Sequence, residues 1–291
     1  MSGLPGSRCS LDHVGFLGPA LEPQRAALRR LGFEPTEPRM LMRVDAATGE
    51  LVSLQQQSCH VVFEAGYLEL SAVLTEDPAH HLGAYLPRGL GLHILALGHA
   101  QPDAAARAAR AAGIPCTDPA DAARRIDYGE RHGEARFRWF MVEPQASPEG
   151  LLCLVRNLDP ELVYQPAVTR HPNGASALDE VLVRADGIEA VTGRLAALLG
   201  QWPSTVGPGL RRFELQRGTL TLATGEALVQ RFGPAALELV PGRFAGIGIR
   251  VAELEAVQER LGRAGVRMER RDGELVVAPR EACGALLVLH A

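Results

Sequence analysis

The sequence lacks several features that mark narrow functional classes. No apolar run approaches the roughly 20 residues that a membrane helix needs. No basic tract stands out in a chain whose net charge is −4, which argues against nucleic acid as a partner. The first ten residues lack the apolar core of a signal peptide. We therefore expect a cytoplasmic protein that binds neither membrane nor nucleic acid.

Familiar cysteine and glycine motifs are also missing. The five cysteines are widely spaced, odd in number and without a Cys-x-x-Cys pair. That pattern fits neither a disulfide framework nor a zinc knuckle, so we expect reduced, mostly buried thiols. The sequence contains no P-loop and no Gly-x-Ser-x-Gly nucleophile elbow. Neither phosphate binding by a P-loop nor serine hydrolase chemistry is therefore indicated.

What the chain does contain is an internal repeat. Four stretches each begin with a short apolar strand, pass through a polar turn into a helix, and end at a glycine after nearly the same interval. Glycine suits the position after a helix because that position needs a left-handed backbone conformation. The four stretches are residues 11–33, 91–114, 178–200 and 244–266.

Short strands follow each predicted helix, and turns such as Ala65-Gly66 separate them. One such unit exposes the apolar face of its sheet and cannot stand alone. We therefore predict an α+β fold of four βαβββ modules, paired into two half-barrel domains. The predicted strands after the helices are residues 51–54, 61–64, 67–73, 135–142, 151–155, 212–216, 219–224, 236–240, 274–278 and 285–290.

The predicted domains span residues 1–165 and 176–291. The connection between them, from Asp159 to Ser176, is rich in Pro, Asn, His and Gly. A second segment, from Thr117 to Glu134, carries many charges and is interpreted as a loop that could cover the mouth of a cavity.

The repeat and its polar residues resemble the vicinal oxygen chelate superfamily, which includes glyoxalase I, extradiol dioxygenases and bleomycin-resistance proteins. A second likeness, to bacterial glyoxalase-like proteins, lies in residues 159–164 and 171–175, although those proteins often have His where this chain has Asn157. The superfamily likeness rests on Leu11-Asp12-His13-Val14, Leu31-Gly32-Phe33, Gly66-Tyr67-Leu68-Glu69-Leu70 and Gly91-Leu92-His93-Ile94.

The resemblance implies a divalent metal ion in the cleft between paired modules. In the superfamily, the metal ligands follow one another along the chain in the order His, Glu, His, Glu. The resemblance maps this order onto His13, Glu69, His93 and a fourth position at Cys153 or Leu154. Two imidazoles and a carboxylate leave positions open for substrate oxygens and suit Zn, Ni, Mn or Fe(II). The alternative for each histidine is an ordinary strand residue with a hydrogen-bond partner.

Other polar residues are candidates for the same cavity. His60 could be a ligand or an acid/base group, and Glu69 could also act in catalysis. Trp139 is a candidate substrate-binding residue on a strand with an alternating pattern. Arg136 and Arg138 share one face of that strand, where they could bind a carboxylate or phosphate. A solvated strand face is the alternative for both arginines. Arg156 has the same two interpretations.

The function implied by the resemblance is a metal-dependent enzyme of the glyoxalase or dioxygenase type. Such an enzyme would act on a small molecule with vicinal oxygens, as a lyase, isomerase or dioxygenase. One alternative is a non-catalytic binder, like the drug-sequestering bleomycin-resistance proteins. Another is a scaffold with a vestigial site. A homodimer is left open as a further partner arrangement.

The second half lacks the set of ligands. The residues at the corresponding positions are Glu180, Thr221, Gly246 and Val288. Glycine, valine and threonine offer no nitrogen donor comparable to imidazole, while the surrounding strands remain apolar. We therefore expect the second half to be structural and the first half to carry the site.

Overall fold

The computed structural model describes residues 9–45, 47–185 and 187–291. Its strands form two eight-stranded sheets, one from each half of the chain. The expectation about a signal peptide falls largely on residues 1–8, which lie outside this range. In the part that is described, no helix combines the length and apolar character needed to cross a membrane.

The sheet of the first half closes on itself as a barrel with the strand order β1-β4-β3-β2-β6-β7-β8-β5. In chain order, its elements are β1 (Ser10–Leu17), α1 (Leu21–Arg30), β2 (Arg39–Val44), β3 (Leu51–Val62), β4 (Tyr67–Val73), β5 (Gly91–Gly98), α2 (Pro102–Ala111), β6 (Ala120–Ile126), β7 (Gly133–Met141), β8 (Leu151–Asn157) and α3 (Pro160–Val163).

The sheet of the second half has the order β10-β11-β12-β9-β13-β16-β15-β14 and does not close. Its elements are β9 (Ala175–Arg184), α4 (Ile188–Leu199), β10 (Ser204–Gly207), β11 (Leu210–Glu214), β12 (Thr219–Ala223), α5 (Gly225–Phe232), β13 (Arg243–Val251), α6 (Leu254–Arg263), β14 (Met268–Arg271), β15 (Glu274–Val277) and β16 (Leu286–His290).

Both sheets are built from the predicted module. In each module the first strand runs parallel to the last strand, as β1 does with β4 and β9 with β12. Modules pair through antiparallel contacts between their first strands, β1 with β5 and β9 with β13. The four glycines that end the repeats all have a positive φ, as predicted. The α+β fold of paired βαβββ modules is thus confirmed.

Two predicted local structures are wrong. The segment from Thr117 to Glu134 contains β6, which pairs with β2 and β7 and so completes the barrel wall. Two of its inward residues, Ala122 and Arg124, are small or charged, which makes the alternation of this strand weak. Residues 236–240, predicted as a strand, lie largely in a 3-10 turn, Gly233–Glu238.

One hydrophobic core runs between the two sheets, and the outer helices pack against it. Leu254, Val257 and Leu261 of α6 are buried there, which is the helical stripe that the sequence pattern indicates. The connection from Asp159 to Ser176 is tied to the first half. Nε2 of His171 donates a hydrogen bond of 2.9 Å to the carbonyl oxygen of Val62, because a carbonyl oxygen can only accept.

Candidate functional site

The barrel of the first half encloses a cavity of about 80 Å³. Side chains of alternate strand residues reach it because successive residues point to opposite faces of a sheet. The cavity has both apolar and polar walls. Its lining residues are His13, Leu41, Gln56, His60, Tyr67, Glu69, His81, Ile94, Ala122, Arg124, Phe137, Trp139, Leu151, Cys153 and Val155.

His13 on β1 has an oriented imidazole. Its Nδ1 lies 2.7 Å from Oδ1 of Asp12, and both side chains are buried. Because a carboxylate oxygen accepts, Nδ1 carries a proton, and in the neutral tautomer this leaves the lone pair on Nε2. That Nε2 lies 3.7 Å from Oε2 of Glu69. A carboxylate behind one nitrogen with the other nitrogen free is the usual setting of a metal-binding histidine.

The two carboxylate oxygens of Glu69 on β4 have different partners. Oε1 accepts hydrogen bonds from Nε2 of Gln56, at 2.8 Å, and from Oγ of Ser71. Oε2 faces the imidazoles of His13 and His60 instead. Gln56 and Ser71 therefore fix the carboxylate so that one oxygen remains available to a ligand in the cavity.

His60 on β3 lies directly across from Glu69 in the antiparallel register. Its Nε2 is 4.0 Å from Oε2 of Glu69. Burial, together with the charge of Arg124 and the neighbouring His13, holds the pKa of His60 well below its usual value of 6.5. The imidazole is therefore neutral at neutral pH and can offer a lone pair.

Tyr67 and Arg124 form the wall beside the histidines. The ring of Tyr67 stacks on His13, with centroids 4.3 Å apart, and meets His60 edge-on. The guanidinium of Arg124 lies 5.0 Å from the ring centroid of Tyr67 and 5.4 Å from that of Phe137. Nε and Nη2 of Arg124 are buried and have no hydrogen-bond partner within the described residues.

The structure does not bring His93 into this site. Its neighbours on β5, Ile94 and Ala96, belong to the cluster inside the barrel, so His93 points to the other face. There its Nε2 lies 2.9 Å from the carbonyl oxygen of Gly89. The implied role of His93 as a ligand beside His13 therefore has no geometric support.

Strand register explains this misplacement. In the first module, His13 on β1 pairs with Tyr67 on the parallel strand β4. In the second module, the corresponding pair is Ile94 on β5 and Leu151 on β8. The residue equivalent to His13 is therefore Ile94. Aligning the two histidines shifts β5 by one residue, and such a slip exchanges the faces of a strand.

Cys153 does reach the cavity, at the position equivalent to Glu69. Burial, together with the carboxylates of Asp12 and Glu69, raises the pKa of its thiol far above the usual range. The residue is therefore a neutral thiol and not the thiolate that zinc prefers. All five cysteines are free and buried, as the sequence pattern indicates.

The predicted substrate-binding arginines lie outside the barrel. Arg136 binds Asp159 through two hydrogen bonds of 2.9 Å, and its side chain is 66% exposed. Arg138 is held between Asp103 and Asp121 on the surface, and Arg156, its cross-strand neighbour, is exposed. Trp139, on the opposite face of the same strand, does line the cavity.

Arg124 is one of several cavity residues that the sequence did not indicate, together with Gln56 and His81. It lies in the segment interpreted as a charged loop, where an arginine is unremarkable. The available signal was the alternation of Ala122, Arg124 and Ile126, which places these three residues on one face of a strand. All three are buried in the structure.

In the second half, side chains occupy the place that corresponds to the cavity of the first half. Glu180 occupies the position of His13, and Thr221 that of Glu69. Thr221 Oγ1 donates to Glu180 at 2.6 Å, and Arg231 of α5 forms hydrogen bonds to both carboxylate oxygens at 3.3 and 3.2 Å. Side chains of α5, including Leu228 and Phe232, pack on the same face of the sheet.

The donors in the first half fit a divalent ion in kind and number. No group of three or more His, Cys, Asp or Glu side chains in the described ranges is already arranged as a metal site. Two donors on one ion, each about 2.1 Å from it, are roughly 3.0–3.4 Å apart. The separations of 3.7 and 4.0 Å around Oε2 of Glu69 would need to shorten by about 0.3–1.0 Å to reach this range.

Comparison with known proteins places the fold. The model of the glyoxalase-like domain family matches residues 11–199, which is more than half of the chain. That range covers the whole barrel and extends into α4. No curated protein matches this chain.

Solved structures of low sequence identity share the architecture over nearly the whole chain. A hypothetical protein from Staphylococcus aureus has a TM-score of 0.64 at 9% identity, covering 97% of this chain and 99% of that one. A 4-hydroxymandelate synthase mutant from Streptomyces coelicolor has a TM-score of 0.60 at 15% identity, covering 97% and 93%.

A fusion of a xylose isomerase-like TIM barrel with 4-hydroxyphenylpyruvate dioxygenase has a TM-score of 0.58 at 15% identity. It is matched over 99% of this chain but only 50% of its own length. At these identities the likeness shows the fold. The family match, which covers more than half of the sequence, shows that this chain belongs to the glyoxalase-like domain family.

Proposed function

We propose that the barrel of the first half is the active site of a metal-dependent enzyme acting on a small molecule with adjacent oxygen atoms. The reaction is of the lyase, isomerase or dioxygenase type that the superfamily performs. The proposed metal ligands are His13, His60 and Glu69. All three come from the first module, whereas the resemblance implies ligands from both modules.

The observation that carries this proposal is the arrangement of Asp12, His13 and Glu69. Asp12 fixes the tautomer of His13, and the free Nε2 is 3.7 Å from the free oxygen of Glu69. A buried histidine with a purely structural role has no need for a fixed lone pair facing a second unbonded acceptor. An imidazole nitrogen and a carboxylate oxygen that face each other in a cavity can share a cation, and we propose that this cation is a metal ion.

The residues around the donors have supporting roles. Gln56 and Ser71 hold Glu69 in place, and the stacked ring of Tyr67 holds the plane of His13. Apolar residues such as Leu41, Ile94 and Phe137 form much of the remaining cavity wall. A divalent ion held there would polarise a carbonyl or stabilise an enediolate of the substrate. The pair of imidazoles and one carboxylate suits Fe(II), Zn(II), Ni(II) or Mn(II).

A non-catalytic binding protein is the second candidate, and one observation favours it. The two positions of the second module that correspond to His13 and Glu69 carry Ile94 and Cys153. An isoleucine cannot bind a metal, and the thiol of Cys153 is neutral. A cavity with half of the implied ligands could retain small-molecule binding without catalysis, or persist as the vestigial site of a scaffold.

Calorimetric titration of Zn(II) or Co(II) into metal-stripped protein tests the proposal. We expect one ion per chain, and we expect Asp12→Asn to weaken binding about 10- to 100-fold because it removes the support of His13. The matched control is Asp179→Asn. Asp179 holds the same place in the third module, but its partners are Arg250 and His290 on the surface.

The histidine variants separate the two roles proposed for His60. If His60→Ala and His13→Ala both lose the ion, both residues are ligands. If His60→Ala keeps the ion but loses turnover, His60 is an acid/base residue. Wild-type protein that binds no ion, yet binds small molecules in the cavity, would favour the second candidate.

A further inference from the structure

Arg124 is a buried cation for which the described part of the chain provides no matching anion. The residue is 4% exposed, and its Nε and Nη2 lack hydrogen-bond partners in the described part of the chain. Among the same residues, no carboxylate lies within ion-pair distance of it. Burial of an unpaired charge costs several kcal/mol in general. A buried guanidinium in a cavity wall therefore needs a function that repays this cost.

Other arginines that are wholly or partly buried show what the usual solution is. Arg25 is buried and binds Glu37 at 2.8 Å and Glu22 at 3.2 Å. Arg231 is partly buried and binds Glu180. Arg124 differs from both because its unsatisfied N–H groups belong to a residue that lines the barrel cavity.

The surroundings of Arg124 fix its position. Its strand, β6, is held on both sides by β2 and β7. The guanidinium contacts the rings of Tyr67 and Phe137, and such contacts with aromatic faces hold the planar group in a defined orientation. Two N–H donors of a fixed guanidinium match the two oxygens of a carboxylate.

We propose that the natural ligand of the barrel is a small monocarboxylate, and that Arg124 binds its carboxylate group. This inference deepens the proposed function, on which it rests, by naming the chemical class of the substrate. The size of the cavity, about 80 Å³, favours a short molecule because pockets for drug-sized ligands span roughly 300–1,000 Å³.

Charge balance supports a single negative charge on the ligand. Asp12 and Glu69 bring two negative charges to the site, and Arg124 brings one positive charge. A divalent ion at the proposed ligands would turn the net charge positive by one, and a monocarboxylate would neutralise it. A phosphate dianion would leave an excess negative charge in a buried site, which is unfavourable.

The test compares lactate with lactamide, which match in size and hydroxyl group and differ in charge. Binding is measured by calorimetry, with Zn(II) and separately with EDTA. We expect lactate to bind about 10- to 100-fold more tightly than lactamide, the range of a charge-assisted hydrogen bond. Equal binding of the two, or tighter binding of phosphate than of lactate, would overturn the proposal.

Variants of Arg124 and of its neighbour Arg125 test whether Arg124 causes the preference for lactate over lactamide. Arg124→Gln should abolish the preference for lactate, whereas Arg125→Gln should keep it because Arg125 is exposed on the outer face of the same strand. Arg124→Met, which keeps the length of the side chain without its charge, is the second variant. If either variant folds and retains the preference, another group binds the carboxylate.

The EDTA arm distinguishes failure of this inference from failure of the proposed metal site. A preference for lactate that depends on Zn(II) and survives in Arg124→Gln would place the carboxylate on the metal, and only the inference about Arg124 would fail. A preference that depends on Arg124 in protein that binds no metal would support the inference while removing the metal-dependent function.

Discussion

The two halves of this chain are built from the same module, but the inner face of the sheet borders a cavity in the first half and is covered by a helix in the second half. In the first half, the inner face of the sheet surrounds a cavity in which the imidazoles of His13 and His60 face Oε2 of Glu69. In the second half, the connection between modules three and four folds into α5 and covers the same face. Arg231 of that helix binds Glu180, the residue at the position of His13.

The difference shows how one fold can hold a site or close it. A concave sheet leaves space that must be filled by side chains, by water or by a ligand. The barrel leaves that space open and lines it with oriented polar groups. The second sheet fills it with Phe232, Leu228 and an ion pair, and Glu180 in the equivalent place is bound by Thr221 and Arg231. The contrast is the basis for assigning the function to the first half.

The largest effect that we predict concerns packing on the inner faces. Phe232→Ala should lower the free energy of unfolding by about 3–5 kcal/mol, because Phe232 is fully buried in a filled core. Phe137→Ala should cost less, about 1–3 kcal/mol, because Phe137 borders a cavity on one side. Urea denaturation of both variants measures the difference. A smaller loss for Phe232→Ala than for Phe137→Ala would show that α5 does not close the second half.

A smaller effect is expected on the pH dependence of the free energy of unfolding, to which His60 contributes. The lowered pKa of His60 keeps it neutral in the folded chain, while the unfolded chain binds a proton below about pH 6.5. Stability is therefore full above that pH and falls as the pH drops, by up to about 1.4 kcal/mol per pH unit from this residue.

His60→Gln in EDTA should reduce the slope of unfolding free energy against pH between 6.5 and 5. His132→Gln, at an exposed loop position, is the control and should leave the slope unchanged. The equivalent of His60 in the second half is Arg212, which does not titrate in this range. Equal slopes for wild type and His60→Gln would show that His60 does not stay neutral in the folded protein.

The smallest effect should come from His93. Because it faces away from the cavity, His93→Ala should leave the affinity for Zn(II) unchanged in calorimetry. Ile94→His, which places an imidazole at the true equivalent of His13, should tighten binding because it adds a ligand. The reverse outcome, loss of the ion in His93→Ala and no gain in Ile94→His, would mean that the register of β5 in solution differs from the one described.

Much of the fold could be predicted from the sequence because the repeat carries strong local signals. Each module combines an apolar strand, an amphipathic helix and a glycine at its end, and these features depend on neighbouring residues. The strand β6 and the turn Gly233–Glu238 were predicted wrongly because tertiary partners determine them. The alternation of β6 becomes meaningful only once β2 lies beside it.

Less of the site could be predicted, and strand register is the main reason. Family patterns indicate which residue types form a site, but a shift of one residue decides whether a side chain points inward. The chain did hold one signal for the correct register. The interval from His13 to Gly32 equals the interval from Ile94, not from His93, to Gly113. Aligning the modules on their helix-ending glycines indicates Ile94.

The central claim is that the first half alone holds a metal-dependent site. Elemental analysis of wild type, Glu69→Ala and Glu180→Ala, purified without chelator, tests it most directly. We predict one transition-metal ion per folded chain in wild type and in Glu180→Ala, and a large loss in Glu69→Ala, because Oε2 of Glu69 faces two imidazoles whereas Glu180 is bound by Arg231. Loss of the ion in Glu180→Ala with retention in Glu69→Ala would contradict the account and place the site in the second half.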